Sequence, residues 1–297
     1  MPISSPSEPR PPRIASLLPG ATEIVLALGL EDALVAVSHS CDFPGRVAAL
    51  PRVTRTRIPL DCPSLRIDEL VRAALSRGES LYEVDGDCLD ALGPELVLTQ
   101  GLCEVCAVGP EEIRRALPAL GSAPRVLSLE PRTLEETLSA ILIVGEAAGR
   151  RRTAEAVVAS LRARIAAVRA RTSRRRARPR VAFLEWLDPP ICGGHWNPEL
   201  VDIAGGVDGL GRAGFPSRTT SWEEIVAWQP EVLVVACCGY SAERTRGELE
   251  VVREEQAFDR LPCGRTGRIH VADGVALFSR PGPSLVACLE WLEPLLA

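Results

Sequence analysis
The chain of 297 residues contains no lysine, so all 34 of its basic side chains are arginine. That one-sidedness reads as the codon bias of a GC-rich genome rather than as chemistry. No run of about 18 apolar residues occurs anywhere, which excludes a membrane-spanning helix. In the opening stretch "MPISSPSEPRPPRIASLLPG", prolines and charges interrupt the apolar segment that an export signal needs. The expectation is a cytoplasmic protein, or a periplasmic or cell-surface one if the N-terminus is incomplete. There is no GxSxG elbow, no HExxH and no phosphate-binding glycine loop. Hydrolytic chemistry therefore finds no support, and the chain is not expected to be an enzyme. A formal net charge of −5 argues against a nucleic-acid partner. The densest basic run, "RRRAR" at Arg174–Arg178, reads as a solvated stretch between domains.

With 46% hydrophobic and 25% charged residues, the chain has the material for one large or two medium globular domains. A core of that size needs no covalent staples. The ten cysteines are accordingly expected to be reduced thiols rather than a disulfide framework.

Four pairs of segments recur in the same order. "RIASLL" pairs with "RVAFLE", "EIVLALGLEDAL" with "ELVDIAGGVDGL", and "GPELVLT" with "QPEVLVV". The last pair is "RVLSLEPRTLEETL" with "RIHVADGVALFSRPGPSLV". Each match is weak alone, but their shared order predicts two lobes of one architecture. Runs such as "ELVLT", "EVLVVA" and "RVAFL" suit strands buried on both faces of a parallel sheet. The segments between them have helical character: "TLEETLSAILIVGEAAG" has a capping box, Thr133 with Glu136, and a glycine stop at Gly149. The fold class is α/β, with two similar lobes on parallel central sheets. Between the lobes, Ala156, Val157, Leu161, Ile165 and Val168 recur at helical spacing opposite a face of arginines. The division expected is an N-terminal lobe at 13–149, a single linking helix at 150–173 and a C-terminal lobe at 179–297. Such a link is stiffer than a Gly/Ser linker and fixes the width of the cleft.

In open parallel sheets, ligands bind beyond the carboxyl ends of the strands. In the first lobe those loops are "LPGAT" with Pro19, "SHSCDFP" with His39, Cys41, Asp42 and Phe43, and "QGLCEVCAV" with Cys103 and Cys106. In the second they are "EWLDPPICGGHWNPE" with Trp186, Cys192, His195 and Trp196, "CCGYS" with Cys237, Cys238 and Tyr240, and "DGVALFSRPGP" with Phe278 and Arg280. Two of three histidines and six of ten cysteines fall there, in a chain only 4% aromatic. Scarce, versatile side chains gathered at one edge of both lobes point to a ligand cleft. The second lobe carries an insertion: Leu184 and Glu199 are fifteen residues apart where Leu17 and Glu23 are six apart. Its prolines, glycines, His195 and Trp196 suggest a ligand-covering flap. Cys62, Cys88, Cys263 and Cys288 read as small hydrophobes, and His270 as a core or strand-edge residue.

From Arg13 to Leu296 the chain resembles the substrate-binding proteins of ABC importers for cobalamin and iron-siderophores. "SLLPGATEIVLALGLEDALVAVSHSCDFP" carries the general likeness. "LCEVCAV", "EWLDPP", "GHW" and "FSRPGP" place it near a cobalamin-binding branch. The resemblance implies two lobes bridged by one helix, the class III periplasmic-binding-protein-like architecture. It also implies a corrinoid or related chelate held between the lobes, with little hinge motion. A glutamate on each lobe, for which Glu23 and Glu199 are the repeat-related candidates, would dock an ABC permease. Family importers are exported or lipid-anchored, and the departure here, together with free thiols in the cleft, favours binding inside the cell.

For a corrinoid, Trp186, Trp196, Phe43 and Phe278 would supply faces, and Arg280 would donate to an amide carbonyl or a phosphate. Arg280 reads equally well as an exposed residue before the last helix. The rival is a metal site: His39, Cys41, Cys103 and Cys106 form a possible four-ligand set for zinc or an iron–sulfur cluster. Plain packing of free cysteine is the simpler account of the same residues. A redox pair fits less well, because Cys103 and Cys106 enclose a glutamate and "AVGP" separates them from the next helix start.

Overall fold
The computed structural model describes residues 10–297 apart from 43–46, 102–107, 110–111, 114–115, 117–123 and 256–257. The chain divides into two compact units. The first comprises residues up to Thr56, Tyr82–Glu130 and Leu138–Ser160, and the second Arg57–Leu81, Pro131–Thr137 and Leu161–Ala297.

The first unit is built on a parallel sheet of β1 (Ile14–Ser16), β2 (Leu34–Val37), β5 (Leu96–Thr99) and β6 (Arg125–Ser128), in the order β2-β1-β5-β6. Central β1 and β5 are buried at every residue, whereas edge strand β6 is not. That is the burial gradient expected when both faces of a sheet are covered. Helix α1 (Pro19–Ala27) follows β1 with proline in its first turn, where the missing N–H costs nothing. Ala15, Leu17, Ala36, Val53, Leu89 and Val97 share one core cluster. A two-stranded antiparallel pair, β3 (Thr54–Thr56) with β4 (Tyr82–Val84), holds together the two ends of residues 57–81. Those residues, with helix α2 (Ser64–Ser76), leave the first unit and are counted with the second. A short helix, α3 (Gly86–Leu92), then leads to β5.

Helix α4 (Leu134–Ala147) starts in the predicted capping box: Thr133 Oγ1 accepts from Glu136 N at 3.2 Å, and Glu136 Oε2 accepts from Thr133 N at 3.2 Å. Gly149, at φ +68°, ends it, and α5 (Arg151–Thr172) follows as one uninterrupted helix. Through Ser160 it is counted with the first unit and from Leu161 with the second.

The second unit repeats the first. Strands β7 (Arg180–Leu187), β9 (Val207–Asp208), β11 (Val232–Val235) and β12 (Ile269–Val271) form a parallel set in which β7 pairs β9 on one side and β11 on the other, and β11 pairs β12. That is the order of β2-β1-β5-β6, and helix α6 (Asn197–Ile203) leads from β7 to β9 as α1 leads from β1 to β2. The four sequence repeats thus map onto equivalent elements. The insertion is anchored to the sheet. After Leu187 the chain turns back as β8 (Pro190–Cys192), antiparallel to β7, and β10 (Arg218–Thr219) adds outside it. Because β9 pairs only with Arg180 and Val181, the carboxyl half of β7 had an open edge, and β8 satisfies it. Helices α7 (Trp222–Trp228), α8 (Ala242–Glu255), α9 (Pro262–Thr266) and α10 (Ser284–Leu295) complete the unit. Ile67 of α2 joins its core with Leu184, Leu233, Tyr240, Leu249 and Phe258. Among the described residues no helix is long and apolar enough to cross a membrane.

Gly145 lies inside α4, where glycine costs about 1 kcal/mol relative to alanine. A Cβ there would collide with Ala154 Cβ and lie 3.2 Å from Arg150 O, so the glycine lets α4 and α5 approach closely. Gly145→Ala is therefore expected to destabilise the protein by about 1–3 kcal/mol, read as a lower denaturation midpoint. A rise in stability, as at an exposed helix position, would refute the close-packing account.

Candidate functional site
The loops after β7, β11 and β12 leave the same edge of the second unit. Trp186, near the end of β7, packs its ring 4.8 Å from that of Tyr240, which follows β11. Arg244, in the first turn of α8, stacks 3.6 Å from the centre of the Tyr240 ring and donates to its hydroxyl at 2.8 Å. The same guanidinium donates to the carbonyls of Cys62, at 2.8 Å, and of Leu60. Segment 57–63 is thereby tied to α8. Glu248, a turn further along α8, accepts from Ser64 Oγ at 2.8 Å at the start of α2.

After β12, Phe278 adopts φ +68°, a strained conformation for an L residue. Its surroundings impose it: the ring packs 4.9 Å from Phe183 and 5.7 Å from Trp291, and its N–H donates to Cys288 Sγ at 3.1 Å. The carbonyl of Phe278 accepts from Trp196 Nε1 at 2.8 Å, so one strained residue sets the indole's position. Phe278, Trp196, Tyr240 and Arg280 are all buried, and Trp186 is half-buried.

His195 also has positive φ, at +50°. Its N–H donates to Phe215 O at 2.6 Å and its carbonyl accepts from Gly214 N at 2.9 Å. Its Nε2 is enclosed without a hydrogen-bond partner among the described residues. Burial, and then the charge of Arg132, lower its pKa, so the ring is neutral at neutral pH. Two carboxylates lie nearby. Glu185 accepts from Asn197 Nδ2 at 2.6 Å and from Ser217 Oγ at 2.5 Å, and its pKa is raised by burial against those hydrogen bonds. Asp208 accepts from Leu210 N at 2.9 Å and Gly211 N at 3.1 Å through Oδ1.

In the first unit, Pro19 opens α1, and the loop after β2 is tied to it. Cys41 is fully buried, with Sγ 3.1 Å from Thr22 Oγ1 and 3.2 Å from Ser38 Oγ. His39 Nδ1 lies 2.8 Å from Thr54 Oγ1, its ring 5.4 Å from that of Tyr82, and its carbonyl accepts from Arg52 Nη1 at 2.6 Å. Burial, then Arg52, lower its pKa. Asp42 is exposed. Phe43, Cys103 and Cys106 lie outside the described residues. Among the described residues no group of three or more His, Cys, Asp or Glu side chains is arranged to hold a metal ion.

The expectation of clustered, ligand-facing thiols is corrected in the second unit. Cys192 is fully buried with Sγ 3.4 Å from Leu210 O and 3.3 Å from Arg218 O. Cys237 is buried in the core, and burial pushes its thiol up to about 12. Both are packing residues, and Cys238 is the exposed one of the pair. Glu199 is engaged as well, its Oε2 accepting from Leu134 N at 2.9 Å at the start of α4, and Glu23 is buried. Sequence reasoning missed Arg244, Glu185, Asn197, Ser217 and Asp208. Arg244 was findable, standing four residues after Tyr240 at a helix start. Ser217 carries no local signal, because its partner Glu185 is distant in sequence, whereas Asp208 accepts from backbone N–H groups two and three residues on, a local turn pattern.

Burial raises the Asp208 pKa to about 6, against the hydrogen bonds from Gly211 and Leu210 and the charge of Arg218. Its Oδ2 is enclosed without a hydrogen-bond partner among the described residues. Because the folded pKa exceeds the unfolded one, the contribution to stability is complete below the unfolded pKa and is lost as pH rises through about 6. Asp208→Asn keeps the Oδ1 acceptor and removes the charge. It is expected to match the parent near pH 4 and to exceed it by about 2–3 kcal/mol at pH 7.5 in urea unfolding. Equal pH dependence in the two proteins would exclude Asp208 as the source.

The family model described as Periplasmic binding protein matches residues 82–276. The vitamin B12-binding protein of Vibrio cholerae serotype O1 is 24% identical over 253 residues, which cover 83% of this chain and 79% of that protein. Among solved structures, the periplasmic heme-binding protein RhuT from Roseiflexus sp. RS-1, in apo form, matches with a TM-score of 0.73 at 24% identity, over 96% of this chain and 98% of that one. The periplasmic vitamin B12 binding protein BtuF of Vibrio cholerae matches with a TM-score of 0.66 at 21% identity, over 97% of each chain. These likenesses show that the chain shares the fold of those two structures. The family match extends over more than half of the sequence and includes the β7 and β11 loops described above, and on that basis the chain belongs to the periplasmic binding protein family.

Proposed function
We propose that the chain binds a corrinoid or a related metal chelate on the loops that follow its parallel strands, and releases it chemically unchanged. One observation carries the reading: indole, phenol and guanidinium groups gather at the carboxyl edge of the second unit, with Trp186 against Tyr240 and Trp196 fixed by Phe278. A flat macrocycle with a polar periphery needs such aromatic faces beside directed donors. Similarity to a vitamin B12-binding protein over 83% of the chain supports the same ligand class. Pro19, His39, Cys41, Asp42, Phe43, Cys103 and Cys106 from the first half of the chain, and Trp186, His195, Trp196, Tyr240, Phe278 and Arg280 in the second unit, are the residues assigned to it. The proposal keeps the lobes at 13–149 and 179–297 with the helix at 150–173 between them. A permease partner and a cytoplasmic location belong to it too. Because the solved relatives are described as periplasmic, cell fractionation decides the compartment.

A second reading, a zinc ion or iron–sulfur cluster on His39, Cys41, Cys103 and Cys106, is the alternative.

Purified protein mixed with cyanocobalamin is expected to keep its colour through desalting and to show quenched tryptophan fluorescence. Trp186→Ala should weaken binding on the order of tenfold or more. Absence of binding to both cyanocobalamin and heme, with stoichiometric zinc or iron in the protein as isolated, would replace this reading by the metal one.

A further inference from the structure
Glu185 stands at the carboxyl end of β7 beside Trp186, and two separate chain segments converge on it. One is Gly194–Asn197, which carries His195 and Trp196 and opens α6. The other is Phe215–Ser217, which leads into β10. Asn197 Nδ2 donates to Glu185 Oε1 at 2.6 Å, and Ser217 Oγ donates to Oε2 at 2.5 Å. The Ser217 hydroxyl in turn accepts from Gly194 N at 3.2 Å, so the two segments are also bound to each other through it. They run too close for any side chain at Gly194, where a Cβ would strike Ser217 N and Phe215 O. His195 N to Phe215 O at 2.6 Å and Gly214 N to His195 O at 2.9 Å complete the contact. Asn197 itself is buried.

A carboxylate enclosed in this way is costly unless its hydrogen bonds are kept, which makes the arrangement all-or-none. Burial raises the Glu185 pKa, while Ser217, Asn197 and the Gly194 backbone act against that rise and nearby Asp208 adds to it. The sheet alone does not fix this region. Gly193 N donates to Phe183 O at 2.9 Å, but beyond Gly193 the chain leaves the ladder until α6 begins. Trp196 lies in that interval, held on one side by Phe278 O and on the other by the Glu185 network.

We propose that Glu185 is a positioning residue for ligand binding. Its carboxylate holds Gly194–Asn197 against Phe215–Ser217, and so sets the placement of His195 and Trp196 without supplying a ligand contact. The inference rests on the function proposed above, and it adds a residue whose loss changes affinity while the aromatic faces remain present. If removing the carboxylate leaves the segment correctly placed only a tenth of the time, apparent affinity falls about tenfold.

The test uses the full chain as wild type, Glu185→Ala, Glu185→Gln, Ser217→Ala and the Glu185→Ala/Ser217→Ala pair. Two readouts are compared: cyanocobalamin and heme titrations by tryptophan fluorescence, and amide hydrogen exchange of the ligand-free proteins over residues 193–197 and 214–217. Glu185→Ala is expected to weaken binding about tenfold and to speed exchange in both segments. Glu185→Gln keeps an acceptor for Asn197 and should recover most of the affinity, which a general loss of packing would not. Ser217→Ala should release the Gly194 amide, and the double variant should be little worse than Glu185→Ala because both act through one network. Wild-type exchange in Glu185→Ala, or unchanged affinity beside faster exchange, overturns the positioning role. If Glu185→Ala does not fold, Ser217→Ala alone decides: slow Gly194 exchange and wild-type affinity would overturn it. If wild type binds neither ligand, the proposed function fails, whereas the exchange data still decide whether Glu185 holds the two segments.

Discussion
The constraint on which the rest depends is parallel strand pairing at the centre of each unit, β1 with β5 and β7 with β11. Parallel neighbours cannot be joined by a tight turn, so each connection must cross back over the sheet before the next strand begins. Every crossover therefore starts at the same edge. The chain there has left the ladder and not yet entered a helix, which frees its side chains and backbone groups for other partners. Tyr240, Phe278 and the loop of His39 all stand at such exits, and Trp186 stands one residue before the end of β7. Their gathering is a consequence of topology before it is one of chemistry.

What the exits do with that freedom differs between the units. In the first, small hydroxyls and a thiol satisfy one another: Thr22 Oγ1 donates to Ser16 Oγ at 2.8 Å and lies 3.1 Å from Cys41 Sγ. No charge is enclosed in that network, and the loop is tied down at little electrostatic cost. In the second, the exit of β7 encloses a carboxylate. Glu185 there, and Asp208 at the end of β9, both have pKa values raised by burial, the latter to about 6; Glu185 is held by donors from two neighbouring segments and Asp208 by N–H groups of its own turn. Carboxylates are used structurally elsewhere too, with Glu199 at the start of α4 and Glu248 at the start of α2, where the N–H groups of a first helical turn lack partners. The acidic residues of this unit organise backbone that the sheet leaves unpaired.

Much of the fold was legible because it rests on local patterns. Valine- and leucine-rich runs marked the central strands, Thr133 with Glu136 marked a helix start, and the repeated segments gave the equivalence of β1 with β7 and β5 with β11. The insertion after β7 was visible as a length difference, but that part of it would pair with β7 was not. Whether an inserted segment hangs free or pairs depends on an open strand edge, and β9 leaves that edge by pairing with only two residues of β7. The thiols misled for a related reason. Cys192 and Cys237 stand in exit loops by sequence, yet each faces the core, because one residue of register decides which way a side chain points. Arg280, read from sequence as either a ligand donor or an exposed residue, is buried.

The sequence by itself determined the α/β class, the duplicated strand order and the loops where unusual side chains would collect, since each follows from short-range periodicity and chain order. Only the tertiary structure decided which of those side chains meet. Glu185 finds Ser217, Trp196 finds the carbonyl of Phe278, and Arg244 reaches back to Cys62 across partners far apart in the chain. Hydrogen-bond geometry depends on positions fixed to a few tenths of an ångström, and no local pattern of residues carries that information.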